Sequence, residues 1–357
     1  MTAQGEPSAE ELEKARQVLA LLGVSPEALV ASQPAAPSRE VPTIGEWVPV
    51  VSGLVGEGTR KLYSTYWNRL VALWPERRLN ELPASDLTWL FGHIRQTAVR
   101  RRNWRGGHSA AEHMFSATRC LYKFAVNDEL IPVSQDPTRK VKKPKRAIPT
   151  RRGLNNTVLE AVTEAAATTG DDPALDALLI RFHVETAARR GGALALELGG
   201  LDQEQCLVLL HEKGEQRRWQ PVSPTLMTHL VDHAYHRGAR EPTSKVLRYH
   251  NGKPLTYRRY DGLWDRLRDH VEPVRTQNIS THWLRHTTLK WVERNFGEAV
   301  ARAYAGHRPS GDAKPGAIAV YTKADLEEIA TALAVLTGEP HPLALSTPTE
   351  VFGNDNG

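Results

Sequence analysis

The sequence predicts a mainly α-helical protein with two folded domains and one small antiparallel sheet. Its 357 residues exceed the roughly 100–200 residues of a typical domain, so two folded units are expected. Apolar residues recur at spacings of three and four over most of the chain, which is typical of amphipathic helices. One segment, CLVLLHEKGEQRRWQPVSP, instead has the pattern of two strands around a Lys213-Gly214 turn.

The composition is that of an ordinary globular protein. Hydrophobic residues make up 40% and charged residues 24% of the chain, which excludes a wholly disordered or collagen-like protein. The longest apolar runs fall short of the roughly 18 residues that a membrane helix needs, and the N-terminus lacks the pattern of a secretory signal. Cys120 and Cys206 lie far apart in the sequence and do not form a disulfide framework. We therefore expect a reduced, cytoplasmic protein without membrane association.

Charge is distributed unevenly along the chain, whose net charge is +5. Residues 1–43 contain six Glu against three Lys or Arg, and residues 338–357 contain three acidic residues and no Lys or Arg. The segment between these acidic ends is therefore strongly basic. A basic body indicates a polyanion as partner, and the alternative is a basic surface that is merely solvated.

Composition and periodicity divide the chain into five predicted segments. Each boundary follows a change in charge, in proline content or in helical periodicity. The segments are an acidic N-terminal helix and linker (1–43), a helical domain (44–138), a basic interdomain linker (139–152), a mixed α/β domain (153–337) and a flexible C-terminal tail (338–357).

Two basic stretches are candidates for contact with a phosphate backbone. One is a cationic turn between helices, and the other is the interdomain linker, where Pro144 and Pro149 prevent a continuous helix. A solvated loop and a localisation signal are the alternatives, but the linker joins two folded halves, and its like charges extend it unless a polyanion neutralises them. The predicted contacts are Arg100, Arg101, Arg102, Arg105, Arg139, Lys140, Lys142, Lys143, Lys145 and Arg146.

The segment STHWLRHT (280–287) predicts the start of a helix. A Ser or Thr cap places His282 and Arg285 on the first turn and on one face, where N–H groups and the helix dipole suit a bound phosphate. The alternative is a surface His and Arg with no joint role. A metal site at His282 and His286 is disfavoured, because the HExxH glutamate is missing and Arg285 would repel a cation.

Two further segments extend this pattern: ETAARRGGALALELGGLD (185–202) and AGHRPSGDAKPGAIAVYTKADLEEI (305–329). Together with HWLRH they resemble the tyrosine recombinase (phage integrase) family over about residues 44–337. The first segment matches the family's TGxRxxELLxL box, HWLRH its HxLRH box, AGH its LGH box and YT its nucleophile segment. The hairpin lysine also falls on the lysine of the family's strand-turn-strand. Six polar positions then stand in the family's order: Arg189, Lys213, His282, Arg285, His307 and Tyr321.

The resemblance implies a helical, SAM-like core-binding domain followed by a mixed α/β tyrosine-recombinase catalytic domain, the two embracing duplex DNA. It implies a site-specific recombinase or integrase of a mobile element that cleaves and rejoins DNA through a covalent 3′-phosphotyrosine. Neither a metal nor ATP nor any other cofactor is implied. The implied partners are double-stranded DNA recombination sites, three further copies of the chain in a homotetramer on paired sites, and an accessory or directionality protein.

The residue types agree with this chemistry. Arginine can bind the non-bridging oxygens of a phosphate in bidentate fashion, which lysine does poorly. A tyrosine with a pKa near ~10 needs a positive field or a base in order to attack. The implied roles are nucleophile for Tyr321, phosphate binding for Arg189 and Arg285, acid for Lys213, and base and hydrogen-bond donor for His282 and His307.

Two departures from the family pattern keep alternatives open. Gly192 stands where the family has Glu or Asp, so weaker ordering of Arg189 or His307 is expected. His307 and Tyr321 lie 14 positions apart, which is longer than the family's spacing. These departures support a catalytically weakened, DNA-binding accessory protein of the same fold. Strand relaxation like that of a type IB topoisomerase is the second alternative.

A helix predicted over residues 323–337 carries a continuous apolar stripe. Leu326, Ile329, Leu333 and Leu336 recur at spacings of three, four and three, so the stripe must be buried. Burial within its own domain is one option. Packing on a neighbouring protomer is the other, and the family resemblance favours it.

Overall fold

The structure, a computed structural model, describes residues 8–25, 40–100, 106–145, 153–211, 217–306 and 326–345. The chain divides into two compact units, Met1–Ile148 and Pro149–Gly357, which are called the N-terminal unit and the C-terminal unit below. Every helix within the described ranges is too short or too polar to span a bilayer.

The described part of the N-terminal unit is helical, as its apolar periodicity predicts. Short 3-10 turns connect several of the helices. The α-helices are α1 (Ala9–Leu21), α2 (Ile44–Leu54), α3 (Glu57–Leu73), α4 (Ala84–Thr97) and α5 (His108–Asn127). Helix α2 begins where the sequence T-x-x-E forms a capping box, because the Thr43 hydroxyl accepts from the Glu46 N–H and the Glu46 carboxylate accepts from the Thr43 N–H.

Helices α2 to α5 enclose an apolar core rich in aromatic side chains. The polar atoms of the buried aromatics donate to backbone carbonyls. Trp47 donates to Leu121 O at 3.0 Å, and Trp67 donates to Ala117 O at 2.9 Å. These bonds satisfy the indole N–H groups without burying a charge.

The first half of the predicted basic linker packs on the N-terminal unit. Residues 140–145 have no regular secondary structure, but Lys143 Nζ lies 3.0 Å from Glu112 Oε1, and the His108 imidazole contacts Lys145 O at 3.2 Å. The prediction that this segment is extended unless a polyanion neutralises it stays a prediction. A carboxylate of the same unit neutralises part of its charge.

The described part of the C-terminal unit contains eight α-helices and a three-stranded antiparallel sheet of order β1-β2-β3. The first helices are α6 (Asn156–Thr168), α7 (Pro173–Thr186) and α8 (Arg190–Ala195). The strands are β1 (Leu201–Asp202), β2 (Leu207–His211) and β3 (Arg217–Pro221). The remaining helices are α9 (Pro224–His236), α10 (Tyr257–His270), α11 (Glu272–Gln277), α12 (Thr281–Tyr304) and α13 (Leu326–Thr337).

The sheet confirms the predicted hairpin. Strands β2 and β3 pair antiparallel with Leu209 opposite Trp219, and the predicted Lys213-Gly214 turn between them lies outside the described residues. Side chains alternate, so Val208 and Leu210 face the apolar core of the unit. The mainly α fold with a small antiparallel sheet is thus confirmed.

The C-terminal helix α13 packs within its own chain. Ile329 and Leu333 are buried in an apolar cluster with Val292 and Val300 of α12. The expectation that this stripe packs on a neighbouring protomer is therefore wrong for the buried part of α13. The periodicity showed that the stripe must be buried, but it does not specify the surface that covers it.

Residues 338–345, predicted as the start of a flexible tail, are also fixed. Glu339 accepts from Arg181 of α7 at 2.6 Å, and the buried His341 ring contacts Cys206 O at 3.3 Å. The prediction of a flexible tail is wrong for these eight residues, because an ion pair and a buried imidazole hold them on the unit. Residues 346–357 lie outside the described residues.

Candidate active site

The segment that carries Arg189 follows the end of α7. Asp172 caps the start of this helix by accepting from the Leu175 N–H, and Pro173 occupies its first turn. The helix ends at Ala187, which has a φ of +49° and stands at the glycine of the TGxR box. Arg189 then precedes the first residue of α8 and is half-buried. The left-handed residue turns the chain sharply, so Arg189 follows directly on the helix end.

Helix α12 carries His282 and Arg285, the other two predicted catalytic residues that lie within the described ranges. It starts at Thr281 as predicted, but Ser280 makes no capping bond with its side chain. Arg285 is buried, with 4% of its surface exposed, whereas His282 is exposed. The His282 ring meets the His286 ring edge-on, with 4.7 Å between the ring centroids.

Arg285 brings three distant segments together. One terminal nitrogen donates to Ala187 O, 98 residues away, and the other donates to Ala305 O at 2.8 Å, 20 residues away. Ala187 lies in the turn before Arg189, and Ala305 lies two residues before His307. Both carbonyls direct their negative ends at the guanidinium, so they fix its plane and stabilise its charge. Two of the six motif positions, Arg285 and the turn that carries Arg189, are thereby held near one another in the fold.

Side chains of α12 also bind the last carbonyls of α7, which have no partner within that helix. Thr288 Oγ1 donates to Val184 O at 2.6 Å, and the Tyr304 hydroxyl donates to Glu185 O. Tyr304 is fully buried, and this burial raises the pKa of its phenol. These bonds fix the end of α7 against α12, directly before the Arg189 turn.

The sequence reasoning missed two buried contacts behind this arrangement. His183 lies between Ala188 O and the Tyr260 hydroxyl, and the Trp264 indole donates to Thr281 Oγ1 at 2.7 Å. His183 follows Phe182 at the end of an apolar stripe on α7. A histidine beside a core stripe was the available signal, but spacing alone does not identify its partners.

Gly192 permits a close approach of β2 to α8. A Cβ atom built on Gly192 would lie 3.3 Å from His211 O, which is tighter than ordinary van der Waals contact. The larger Glu or Asp of the family box would therefore require β2 to shift. The expected effect of Gly192 on the ordering of Arg189 stays a prediction.

The structure does not place every predicted residue. The residues outside the described ranges are Lys213, His307, Tyr321, Arg101, Arg102, Arg105 and Arg146. Arg100 follows α4, and the other predicted contacts, Arg139, Lys140, Lys142, Lys143 and Lys145, are exposed on the N-terminal unit. Within the described ranges, no group of three or more His, Cys, Asp or Glu side chains is arranged to hold a metal ion.

Comparison with known proteins gives a family and a fold. The model of the phage integrase family matches residues 152–313. This segment contains Arg189, the β2–β3 hairpin, α12 and Gly306-His307. No curated protein sequence matches the chain significantly.

Solved structures share the fold at low sequence identity. A lambda integrase tetramer bound to a Holliday junction is 13% identical, with a TM-score of 0.58 over 91% of this chain and 89% of that chain. XerH site-specific recombinase bound to a palindromic difH substrate is 15% identical, with a TM-score of 0.59 over 74% of this chain and 78% of that chain. The Tn1549 transposon integrase (residues 82–397) in complex with circular intermediate DNA is 14% identical, with a TM-score of 0.56 over 79% and 95%.

The family match and the geometry lead to the same identification. The matched residues include the Arg189 turn and the HWLRH helix that Arg285 joins, and the fold is that of the solved integrases and recombinases. Residues 152–313 belong to the phage integrase family, the tyrosine-type site-specific DNA recombinases.

Proposed function

We propose that this protein is the integrase of a mobile element, which cleaves and rejoins DNA at specific sites through a covalent bond to Tyr321. The observation that carries the proposal is the Arg285 guanidinium, whose two backbone bonds join the Arg189 turn, α12 and the segment that leads to His307. Of the residues that the structure describes, Arg189 and Arg285 are thus the candidates for binding one phosphate group. Tyr321, Lys213 and His307 enter the proposal through their motifs.

In the proposed reaction, the Tyr321 oxygen attacks phosphorus as the bond from phosphorus to the 5′ oxygen breaks. Arg189 and Arg285 stabilise the charge on the non-bridging oxygens. Lys213 gives a proton to the departing 5′ oxygen, and His282 or His307 accepts the proton of the tyrosine. The new phosphotyrosine bond retains the energy of the broken bond, so rejoining needs no ATP.

The proposed partners follow from charge and from the solved relatives. Exposed basic residues of the segment 139–145 are proposed to contact the DNA backbone. The lambda integrase tetramer on a Holliday junction supports a homotetramer that acts on paired double-stranded sites. We further propose that the protein acts in the cytoplasm and that an accessory protein sets the direction of recombination.

A nicked suicide substrate tests the nucleophile. Wild-type protein should become covalently attached to it, whereas Tyr321→Phe, which lacks one oxygen, should bind the same DNA and form no covalent complex. Tyr235→Phe removes an oxygen from a partly exposed tyrosine of α9 and is the matched control. Covalent attachment of the Tyr321→Phe variant would disprove the assignment. DNA binding without attachment by the wild-type protein would instead favour the accessory-protein alternative.

A further inference from the structure

We propose that His183, held by Tyr260, is a positioning residue for strand cleavage: it fixes the Ala188 carbonyl and thereby the turn that carries Arg189 and binds Arg285. The proposal rests on the proposed function and adds a residue that lies outside the six motif positions. It follows from three contacts of buried groups at the end of α7.

The hydrogen bonds of His183 determine where its proton lies. The Nδ1 atom is 3.0 Å from Ala188 O, and a carbonyl oxygen can only accept, so Nδ1 carries the proton. The Nε2 atom of the neutral ring is then an acceptor, and it receives the Tyr260 hydroxyl at 2.8 Å. Tyr260 is buried as well, so its donation selects the Nδ1–H tautomer.

Burial keeps this imidazole neutral. His183 exposes 1% of its surface, and this burial, aided by the positive charges of Arg190 and Arg285, lowers the pKa of His183 to about 4. A neutral ring can donate at Nδ1 and accept at Nε2 at once, which a protonated ring cannot. Each polar atom of the side chain therefore has a defined partner at physiological pH.

The turn held by His183 is shared by the two arginines. Ala187 O accepts from Arg285, the next carbonyl accepts from His183, and Arg189 follows directly. Thr186 Oγ1 also accepts from the Ala188 N–H at 3.2 Å. A shift of the Ala188 peptide would therefore move Arg189 and the carbonyl that orients Arg285 together.

Helix α10 supports both arginine-bearing segments. Tyr260 contacts the Arg189 turn through His183, and Trp264, one helical turn later, binds Thr281 at the start of α12. Residues four apart lie on the same face of a helix, so a single rigid surface sets the distance between the two segments. A displacement of about 1 Å at a reacting group can cost about 10²-fold in rate, so such support has a measurable effect.

The cleavage rate of protein saturated with the suicide substrate tests this role. His183→Leu removes the Nδ1–H donor at similar volume and should lower the rate constant about 10–100-fold with DNA affinity unchanged. His183→Asn places an amide N–H near the Nδ1 position and should recover most of the rate. Tyr260→Phe keeps the imidazole but removes its donor, so a smaller loss is expected.

A matched control separates positioning from general stability. His341 is also a buried imidazole that contacts a backbone carbonyl, but it lies after α13. His341→Leu should lower the melting temperature without changing the cleavage rate constant. Equal slowing by both Leu variants, or no rescue by Asn, would overturn the proposal. If His183→Leu does not fold, an unchanged rate in Tyr260→Phe would overturn it.

Nuclear magnetic resonance of the free protein gives a readout that does not depend on cleavage. The His183 ring should show a slowly exchanging proton on Nδ1 at pH 7. His183→Leu should shift the guanidinium signal of Arg285, assigned by its loss in Arg285→Lys, and His341→Leu should leave that signal in place. A proton on Nε2, or an unmoved Arg285 signal, would overturn the proposal. If the wild-type protein forms no covalent complex, only the proposed function fails, and these signals still decide the positioning role.

Discussion

The two units bury different kinds of side chain. Among the described residues, the buried polar side chains of the N-terminal unit are Thr118, Asp136 and Thr138. The described part of the C-terminal unit buries twelve: Asp172, Asp176, His183, Glu185, Thr186, Gln220, Ser223, Arg259, Thr281, Arg285, Thr288 and His341. The cations of the first unit's basic segment are exposed, whereas the second unit encloses charged pairs.

Buried aspartates of the C-terminal unit are paired with arginines. Asp176 accepts from Arg259 at 2.8 Å and from Arg266 at 2.5 Å, and Asp172 pairs with Arg237 at 2.5 Å. Burial alone would raise the pKa of Asp172, but the Arg237 guanidinium, the Leu175 N–H and His250 together hold this pKa below its usual value. Replacing such pairs by apolar groups is often neutral or stabilising, so their presence is weak evidence of added stability. Their geometry joins α7, α9 and α10.

Exposed cations and buried, oriented cations suit two different tasks, namely DNA binding and catalysis. Exposed cations can attract a phosphate backbone without a fixed geometry, because that attraction carries no sequence information. Transition-state stabilisation instead needs charges that are already oriented before the reaction. The comparison therefore predicts that replacing exposed cations weakens DNA binding and leaves the cleavage rate unchanged. Replacing a buried cation should instead slow cleavage and leave DNA binding nearly unchanged.

Loss of the buried cation should have the largest effect. Arg285→Lys cannot make both bonds to Ala187 O and Ala305 O with the planar geometry of a guanidinium. The cleavage rate constant should fall about 10²–10³-fold, the range found when one oriented donor is removed from a transition state. DNA affinity should change little, because the proposed role gives this residue one phosphate contact among many.

The control for Arg285→Lys is Arg302→Lys, which alters an exposed, ion-paired arginine later on α12. It should leave cleavage unchanged. A loss of affinity in Arg285→Lys as large as its loss of rate would contradict this division of roles.

Neutralising the exposed cations should change binding instead. Replacing Lys140, Lys142, Lys143 and Lys145 by Gln should reduce the slope of log K against log salt by up to roughly 3–4 units, at about 0.9 per phosphate contact. Lys143 already pairs with Glu112, so its share should be the smallest. Sequence preference and the cleavage rate at saturation should survive. An unchanged salt slope would show that this segment does not lie on DNA.

The sequence predicted those parts of the fold that follow from local patterns. The α12 start, the pairing of β2 with β3 and the α13 stripe each appear at the expected positions. The surface that covers α13 and the packing of Glu339 and His341 were missed, because periodicity identifies a buried face and not its partner. An ion pair to Arg181, far away in the sequence, leaves no local signal.

In the candidate site, too, local motifs could be predicted from the sequence and long-range contacts could not. Motif order predicts Arg189, His282 and Arg285 as site residues, and the structure shows how Arg285 approaches the Arg189 turn. His183 could not be predicted from the sequence, because its proposed role depends on the Ala188 carbonyl and the Tyr260 hydroxyl. Only the tertiary fold brings these two groups to the imidazole. The packing reason for Gly192 likewise required the position of His211 O.

The smallest effects are predicted for a pair of matched tyrosines, one in each unit. Tyr122 and Tyr304 are both fully buried, and each donates its hydroxyl to a backbone carbonyl, Leu79 O and Glu185 O respectively. Tyr→Phe at either position removes one oxygen and keeps the ring. Each change should lower the free energy of unfolding of its unit by about 0.5–1.5 kcal/mol, the net value of a typical hydrogen bond. Denaturant titration measures this cost.

The two variants should differ in activity, because only Tyr304 touches the end of α7. The residue after Tyr304 is Ala305, whose carbonyl accepts from Arg285, so loss of the bond to Glu185 O loosens a support of that arginine. Tyr304→Phe should therefore slow cleavage of the saturated complex roughly two- to tenfold, less than a full displacement of about 1 Å would. Tyr122→Phe should leave that rate unchanged. Equal slowing by both would mean that the oriented charges of the C-terminal unit depend on the packing of the N-terminal unit.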